Sequence, residues 1–172
     1  MGPPGPQGEQ GPVGPSGPGL DQDWAIIARV NWKHGVTVDA GLTATLLQAL
    51  KCNLSRSLHA ELQETQPDVV QVWFEPSSIQ TAAGQAGPPA PILTFSGDVQ
   101  MTPQTLSWTS THPADVLMET LKRGGRVLIR IHCAHLYDAK RRPFSAALDA
   151  VLTVDSLRLP GGVFESWFFV KG

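Results

Sequence analysis

The 172-residue chain predicts an all-β fold, a two-sheet sandwich with one short helix, carried behind a leader that winds with two further copies of itself. Three observations predict it. Glycine stands at every third position from Gly2 to Gly17, apolar and polar residues alternate in several short runs, and Gly, Pro, Asp and Ser punctuate those runs. Strict alternation marks a half-buried strand, because successive side chains point to opposite faces. Many such strands between turn residues stack as two sheets.

The leader reads Gly-Pro-Pro, Gly-Pro-Gln, Gly-Glu-Gln, Gly-Pro-Val, Gly-Pro-Ser, Gly-Pro-Gly, so Gly2, Gly5, Gly8, Gly11, Gly14 and Gly17 recur without a break. Only glycine fits where three chains crowd a common axis. The expected partner is therefore the chain itself, as a homotrimer. Residues 1–19 form this segment and residues 20–172 the head. The repeat resembles those of animal collagens and of bacterial and phage collagen-like proteins. Proline fills the X position in five of the six triplets but the Y position only at Pro4. Animal collagens rely on hydroxyproline at Y, so the distribution is more similar to the bacterial type. At ~3.1 Å per residue the segment spans about 55 Å, and so short a helix needs a trimeric head or a longer upstream stalk to hold it wound. The opening Met-Gly-Pro-Pro carries no basic region, apolar core or cleavage site of a secretory signal. Either the chain is cut from a longer collagen-bearing protein, which a triplet run beginning at once favours, or it leaves the cell by another route or by lysis; an extracellular or surface location is expected. No run approaches the ~20 apolar residues that cross a bilayer.

In the head, Trp24, Ile26, Ala28, Val30 and Trp32 share one face of a strand and Arg29 and Asn31 the other. Leu42, Leu46, Leu47 and Leu50 have helical spacing, yet Leu46, Leu50, Cys52 and Leu54 also share a strand face, and strand is the preferred reading from Ala49 onward. Weaker strands are expected at Val69–Phe74, Ile92–Phe95, Thr105–Thr109 and Ala150–Val154. Thr81–Pro91, with Gly84, Gly87, Pro88, Pro89 and Pro91, is a loop that divides the head into halves. Pro113–Lys122 is the short helix, with Pro113 near its start and Gly124 past its end. Val127, Ile129, Ile131 and Cys133 alternate with Leu128, Arg130 and His132. The aromatic run Val163–Val170 follows the Pro160-Gly161-Gly162 turn.

Thirteen basic against fifteen acidic residues argue against a nucleic-acid or anionic-membrane surface. Lys140-Arg141-Arg142 reads as a hairpin tip. Cys52 and Cys133 are too few for a disulfide scaffold, and buried free thiols are the default, with a single inter-sheet bridge as the alternative. His132, Cys133 and His135 invite a metal reading, but strand alternation sends His132 away from the other two. His34 lacks an identifiable nucleophile, even with Asp39 or Asp138 as its acid partner. Glu165 is expected to pair with Arg130 or Arg158, or to face solvent. Gly124-Gly125 and Gly161-Gly162 lack the partners of a phosphate loop and are turns. No catalytic, cofactor-binding or metal-ligating residue is assigned, and a non-enzymatic protein is expected. The five tryptophans, Trp24, Trp32, Trp73, Trp108 and Trp167, are the candidate interface or ligand aromatics, divided between core, trimer contact and glycan platform.

Leu50-Lys51-Cys52-Asn53-Leu54-Ser55-Arg56-Ser57-Leu58 is similar in its beat to a strand of bacterial Ig-like surface domains, and Ile92–Val99 carries a comparable run. The resemblance implies an Ig-like sandwich, with two packed halves as a variant. The tail from Arg126 to Ile131 and from Gly161 to Phe168 resembles uncharacterised bacterial proteins, which implies no activity. The expected function is structural: the head directs trimeric assembly or surface presentation of the stalk. The alternative is a ligand-recognition head of the C1q or tumour-necrosis-factor jelly-roll type, binding glycans or proteins. That family also pairs a collagen stalk with a β trimer, but its terminal aromatic-and-glycine pattern is not evident here.

Overall fold

A computed structural model describes residues 24–77, 90–148 and 161–172. The leader, most of the 81–91 loop and the strand expected at Ala150–Val154 lie outside the described residues. The elements run β1 (Ile26–Val30), β2 (Thr37–Asp39), α1 (Ala40–Leu47), β3 (Leu50–Leu54), α2 (Ala60–Thr65), β4 (Val70–Pro76), β5 (Leu93–Phe95), β6 (Gly97–Thr102), β7 (Thr105–Ser110), α3 (Ala114–Leu121), β8 (Gly125–His132), β9 (Ser145–Leu148) and β10 (Val163–Lys171). Two five-stranded sheets form, β6-β7-β3-β1-β9 and β2-β10-β8-β4-β5. Pairing is antiparallel except for β1 with β9 and β10 with β2. The protein is an all-β sandwich. Strands from both sides of the 81–91 loop enter both sheets, so the sequence halves are woven into one core.

Alternation builds that core where it was cleanest. Val127, Ile129 and Ile131 on β8 are fully buried, as are Val72 and Phe74 on β4 and Phe168 on β10. Leu50, Cys52 and Leu54 on β3 and Leu106 and Trp108 on β7 face them from the other sheet. Burying each large apolar side chain contributes roughly 1.5–3 kcal/mol.

The strand around Trp24–Trp32 is less regular than its sequence implied. Its pairing with β3 shifts between Ile27 and Arg29 and its pairing with β9 between Ile26 and Ile27; both isoleucines are buried, but only Ile27 joins the inter-sheet core. An irregularity of this kind breaks the alternation locally.

Helix content exceeds the single helix expected. Residues 113–122 contain α3, which turns Leu117 and Leu121 inward. The ambiguous leucine run splits, helix first and strand from Leu50. Asp39 starts α1 by accepting the Leu42 amide at 2.8 Å, the usual way an orphan donor is satisfied at a helix start. The helix buries Ala40, Thr43, Ala44 and Leu47, whereas Leu42, expected on its apolar stripe, is 64% exposed. α2 has little apolar periodicity and buries Leu62 alone; it is fixed by tertiary contacts. No described helix is long and apolar enough to cross a membrane.

Candidate recognition face

A sandwich presents two outer faces, and in this one they differ in chemistry. The sheet containing β3 and β7 turns out Arg29, Lys51, Asn53, Gln100, Ser107 and Thr109, a polar set. The sheet containing β8 turns out aromatics and ion pairs. Register places Trp73 opposite Leu128 on one side and Trp167 opposite Leu128 on the other, so the three form one row across β4, β8 and β10. Trp73 and Trp167 are half-buried, and Leu128 between them is only 9% exposed.

Two arginines flank this row along β8, and they act reciprocally. Arg130 stands over Trp73 of β4, 4.9 Å from the ring centroid, while its Nε donates to Glu165 Oε2 of β10 at 2.6 Å. Arg126 stands over Trp167 of β10 at 6.0 Å, while its Nε donates to Glu75 Oε2 of β4 at 2.8 Å. Each guanidinium thus grips both neighbouring strands, one through a ring and one through a carboxylate. Exposed ion pairs contribute little alone, but stacking and pairing together limit the rotamers of all six side chains.

A turn from the other sheet extends the row. Gly35 adopts φ +72° and donates its amide to the Trp167 carbonyl at 2.7 Å. That brings the His34 ring to 4.0 Å from Trp167, edge to face. Ser166, beneath it and buried, accepts from Trp32 Nε1 at 3.0 Å and lies 3.2 Å from His34 Nδ1. A hydroxyl does stand beside His34, contrary to the sequence expectation, but it is enclosed with Trp32. Neither proposed acid partner reaches His34: Asp39 caps α1, and Asp138 is held by Arg142.

The tryptophans divide accordingly. Trp32 and Trp108 are core residues, 6% and 2% exposed, which removes both from the candidate interface or ligand aromatics. A core position suits Trp108 because Gly97, its diagonal neighbour on β6, leaves room for its indole. Trp24 is half-buried where the described chain begins, with its Nε1 enclosed. Trp73 and Trp167 are the pair on a solvent face. Alternation signalled the outward face of β8, but neither the Arg126–Glu75 pairing nor the common row was readable without register.

Glu165 pairs with Arg130; Arg158 lies outside the described residues. Cys133, Ala134 and His135 leave the strand as a 3-10 turn, so the alternation expected for them stops at His132. The His132 and His135 rings are 6.2 Å apart, and among the described residues no group of three or more His, Cys, Asp or Glu is placed to hold a metal. The Lys140-Arg141-Arg142 segment is a turn, with Arg141 at φ +57°, folded around the buried Asp138 carboxylate. Gly124, Gly161 and Gly162 have positive φ, as turns require.

Both cysteines are free and buried. Burial pushes the Cys52 thiol far up, and a thiolate at Cys133 adds to the rise. Cys133 is pushed up to about 11, again by burial, against a smaller opposing effect of its hydrogen bond with the Phe164 backbone. Two pH units above the ordinary 9.0 leave Cys133 about a hundredfold less thiolate at neutral pH. The folded protein is expected to resist a disulfide-exchange reagent until urea unfolds it. Rapid labelling of either thiol under native conditions would contradict this burial.

Sheets and face together define a β-sandwich protein with one aromatic surface. No family model matches the chain, and no curated protein matches it. Among solved structures it is similar to PcoC, a copper resistance protein from Escherichia coli, at 10% identity and a TM-score of 0.41, over 81% of this chain and 92% of that chain. Likeness at that level carries no inference about chemistry.

Proposed function

We propose that the chain is a non-enzymatic display protein, a homotrimer at a cell or particle surface in which the Gly-X-Y leader is the stalk and the sandwich the presented head. The unbroken glycine period from Gly2 to Gly17 carries this reading, since side-chain-free positions at that spacing serve three chains around one axis. A head with its own two-sheet core from residue 25 onward supports a division of labour between stalk and sandwich.

Sedimentation equilibrium of the full chain and of a chain beginning at Leu20 tests it. The full chain is expected at three times the monomer mass. A trimer in both species assigns nucleation to the head, and a trimer only in the full chain assigns it to the stalk. A monomeric full chain, still monomeric when further upstream triplets are added, ends the proposal.

A second reading, ligand recognition by the head, is favoured by one observation. Two of the five tryptophans lie in one row on a solvent face while Trp32 and Trp108 fill the core. Aromatic rings retained at a surface, stiffened by arginines, are suited to contact with a partner.

A further inference from the structure

Resting on the recognition reading, we infer that the Trp73–Leu128–Trp167 row is a binding platform for an extended, uncharged β-1,4-linked hexopyranose chain. The pitch of the row comes first. Trp73 and Trp167 sit at the same register on strands separated by β8, two interstrand spacings or about 9.6 Å apart. In a β-1,4-linked chain each ring is flipped relative to the last, so alternate rings present the same apolar C–H face. The repeat of two rings is close to the spacing of the two register positions that carry the indoles. Leu128, only 9% exposed, stands between them in the register where the intervening ring would cross.

Charge is the second consideration. Both guanidiniums on this face are matched by carboxylates, Arg126 by Glu75 and Arg130 by Glu165. The row is therefore bordered by two neutral pairs rather than by a net field. Such a border neither attracts nor repels a charged polymer strongly, yet it offers fork-shaped donors and carboxylate acceptors along both sides. Hydroxyl groups at the two edges of a pyranose need that combination. An acidic polysaccharide or a nucleic acid would instead call for unpaired arginines.

Preorganisation is the third. Trp73 is held by Arg130, and Trp167 by Arg126 and the ring of His34, so little side-chain freedom remains to be lost on binding. The opposite face of the sandwich, polar throughout its central strands, provides an internal contrast. Lys51 and Ser107 stand opposite one another there, without an aromatic neighbour in the register.

The test is titration calorimetry of the full chain with cello-oligosaccharides of two to six rings, with sedimentation of the same samples. Saturable binding is expected from three rings upward, because three are needed to set sugars on both indoles. Cellobiose is expected to bind at least tenfold more weakly than cellohexaose. Trp73→Ala and Trp167→Ala are each expected to raise the cellohexaose Kd at least tenfold, Trp73→Tyr to raise it less, and Lys51→Ala on the other face to leave it unchanged. A urea midpoint equal to that of the parent separates lost contact from lost folding, and Trp73→Tyr covers the case in which alanine is not tolerated. Cellohexaose binding indifferent to Trp73 and Trp167, or equal affinity for two and six rings, overturns the platform. So does the absence of cellohexaose binding; if a glycan array then finds another ligand, the recognition reading survives without this one. A head whose tryptophans become protected as the chain trimerises overturns the inference in favour of a second copy of the chain on this face.

Discussion

Gly125→Ala is expected to destabilise the head by about 4 kcal/mol, among the largest effects of any single methyl group in the molecule. Gly125 begins β8 at φ +151°, and a Cβ there would overlap the Glu75 carbonyl oxygen and come within 2.9 Å of a Phe74 ring carbon and the Pro76 Cα. These are backbone and core atoms that cannot swing aside. The strand is also held on both sides at this point, by Pro76 of β4 and Val170 of β10, so relief must displace one of the two ladders. Gly35→Ala supplies the comparison. It has positive φ, +72°, but nothing within 4 Å, and conformational strain alone costs about 1 kcal/mol. Urea midpoints of the two variants, at unchanged denaturant slope, measure how much the overlap and the more extreme φ at Gly125 add to ordinary left-handed strain. If Gly125→Ala costs no more than Gly35→Ala, the tight β4–β8 junction is wrong. The consequence reaches the outer face, since Glu75 in this junction also holds Arg126 beside Trp167.

Asp138→Ala should cost about 3 kcal/mol at neutral pH, the loss expected when a buried charge network loses its acceptor. The carboxylate, 4% exposed, accepts from the amides of Lys140 at 2.9 Å and Arg142 at 3.0 Å. It also accepts from the Arg142 guanidinium, at 3.1 Å from Nε and 2.8 Å from Nη2. Burial pushes its pKa up, but these bonds and the Arg142 charge outweigh burial and hold it below the ordinary 3.8. A depressed carboxyl pKa stabilises the fold fully above the unfolded value and ceases to do so as the pH falls through the folded value. The stability difference between the parent protein and Asp138→Asn is therefore expected to be constant from neutral pH down to about pH 5. It should then shrink on further acidification. A difference that persists unchanged to pH 2, or grows, would show that the carboxylate is not the charged centre of this turn.

Some of this architecture was already present in local pattern. Val127, Ile129 and Ile131 had to share a buried face, because strand geometry alternates whatever lies across from it. Pro113 and Gly124 bracketed a helix for reasons internal to the segment. The Glu165–Arg130 pair was within reach as one of two pairings, since a carboxylate in an aromatic strand needs a partner. α2 was not within reach: its six residues, Ala60–Thr65, bury too little for periodicity to register, and short helices form only against neighbours. The break in β1 was hidden for a similar reason, because Ile26 and Ile27 are equally apolar and only the tertiary structure shows that Ile27, not Ile26, joins the inter-sheet core.

What the amino-acid order decided alone is the chemistry of each local segment: which residues alternate, where turns fall, and that glycine recurs at every third position of the leader. Tertiary structure decided which tryptophans are core and which are surface, since all five sit in strand-like runs of similar composition. Trp73 and Trp167 belong to strands far apart in the chain, and they meet across Leu128 only because β4 and β10 choose the same central partner in matching register. That choice is a competition among long-range hydrogen-bonded ladders, each closed at an entropic cost set by the whole chain. Local alternation specifies the face a side chain takes but not the neighbour it finds there.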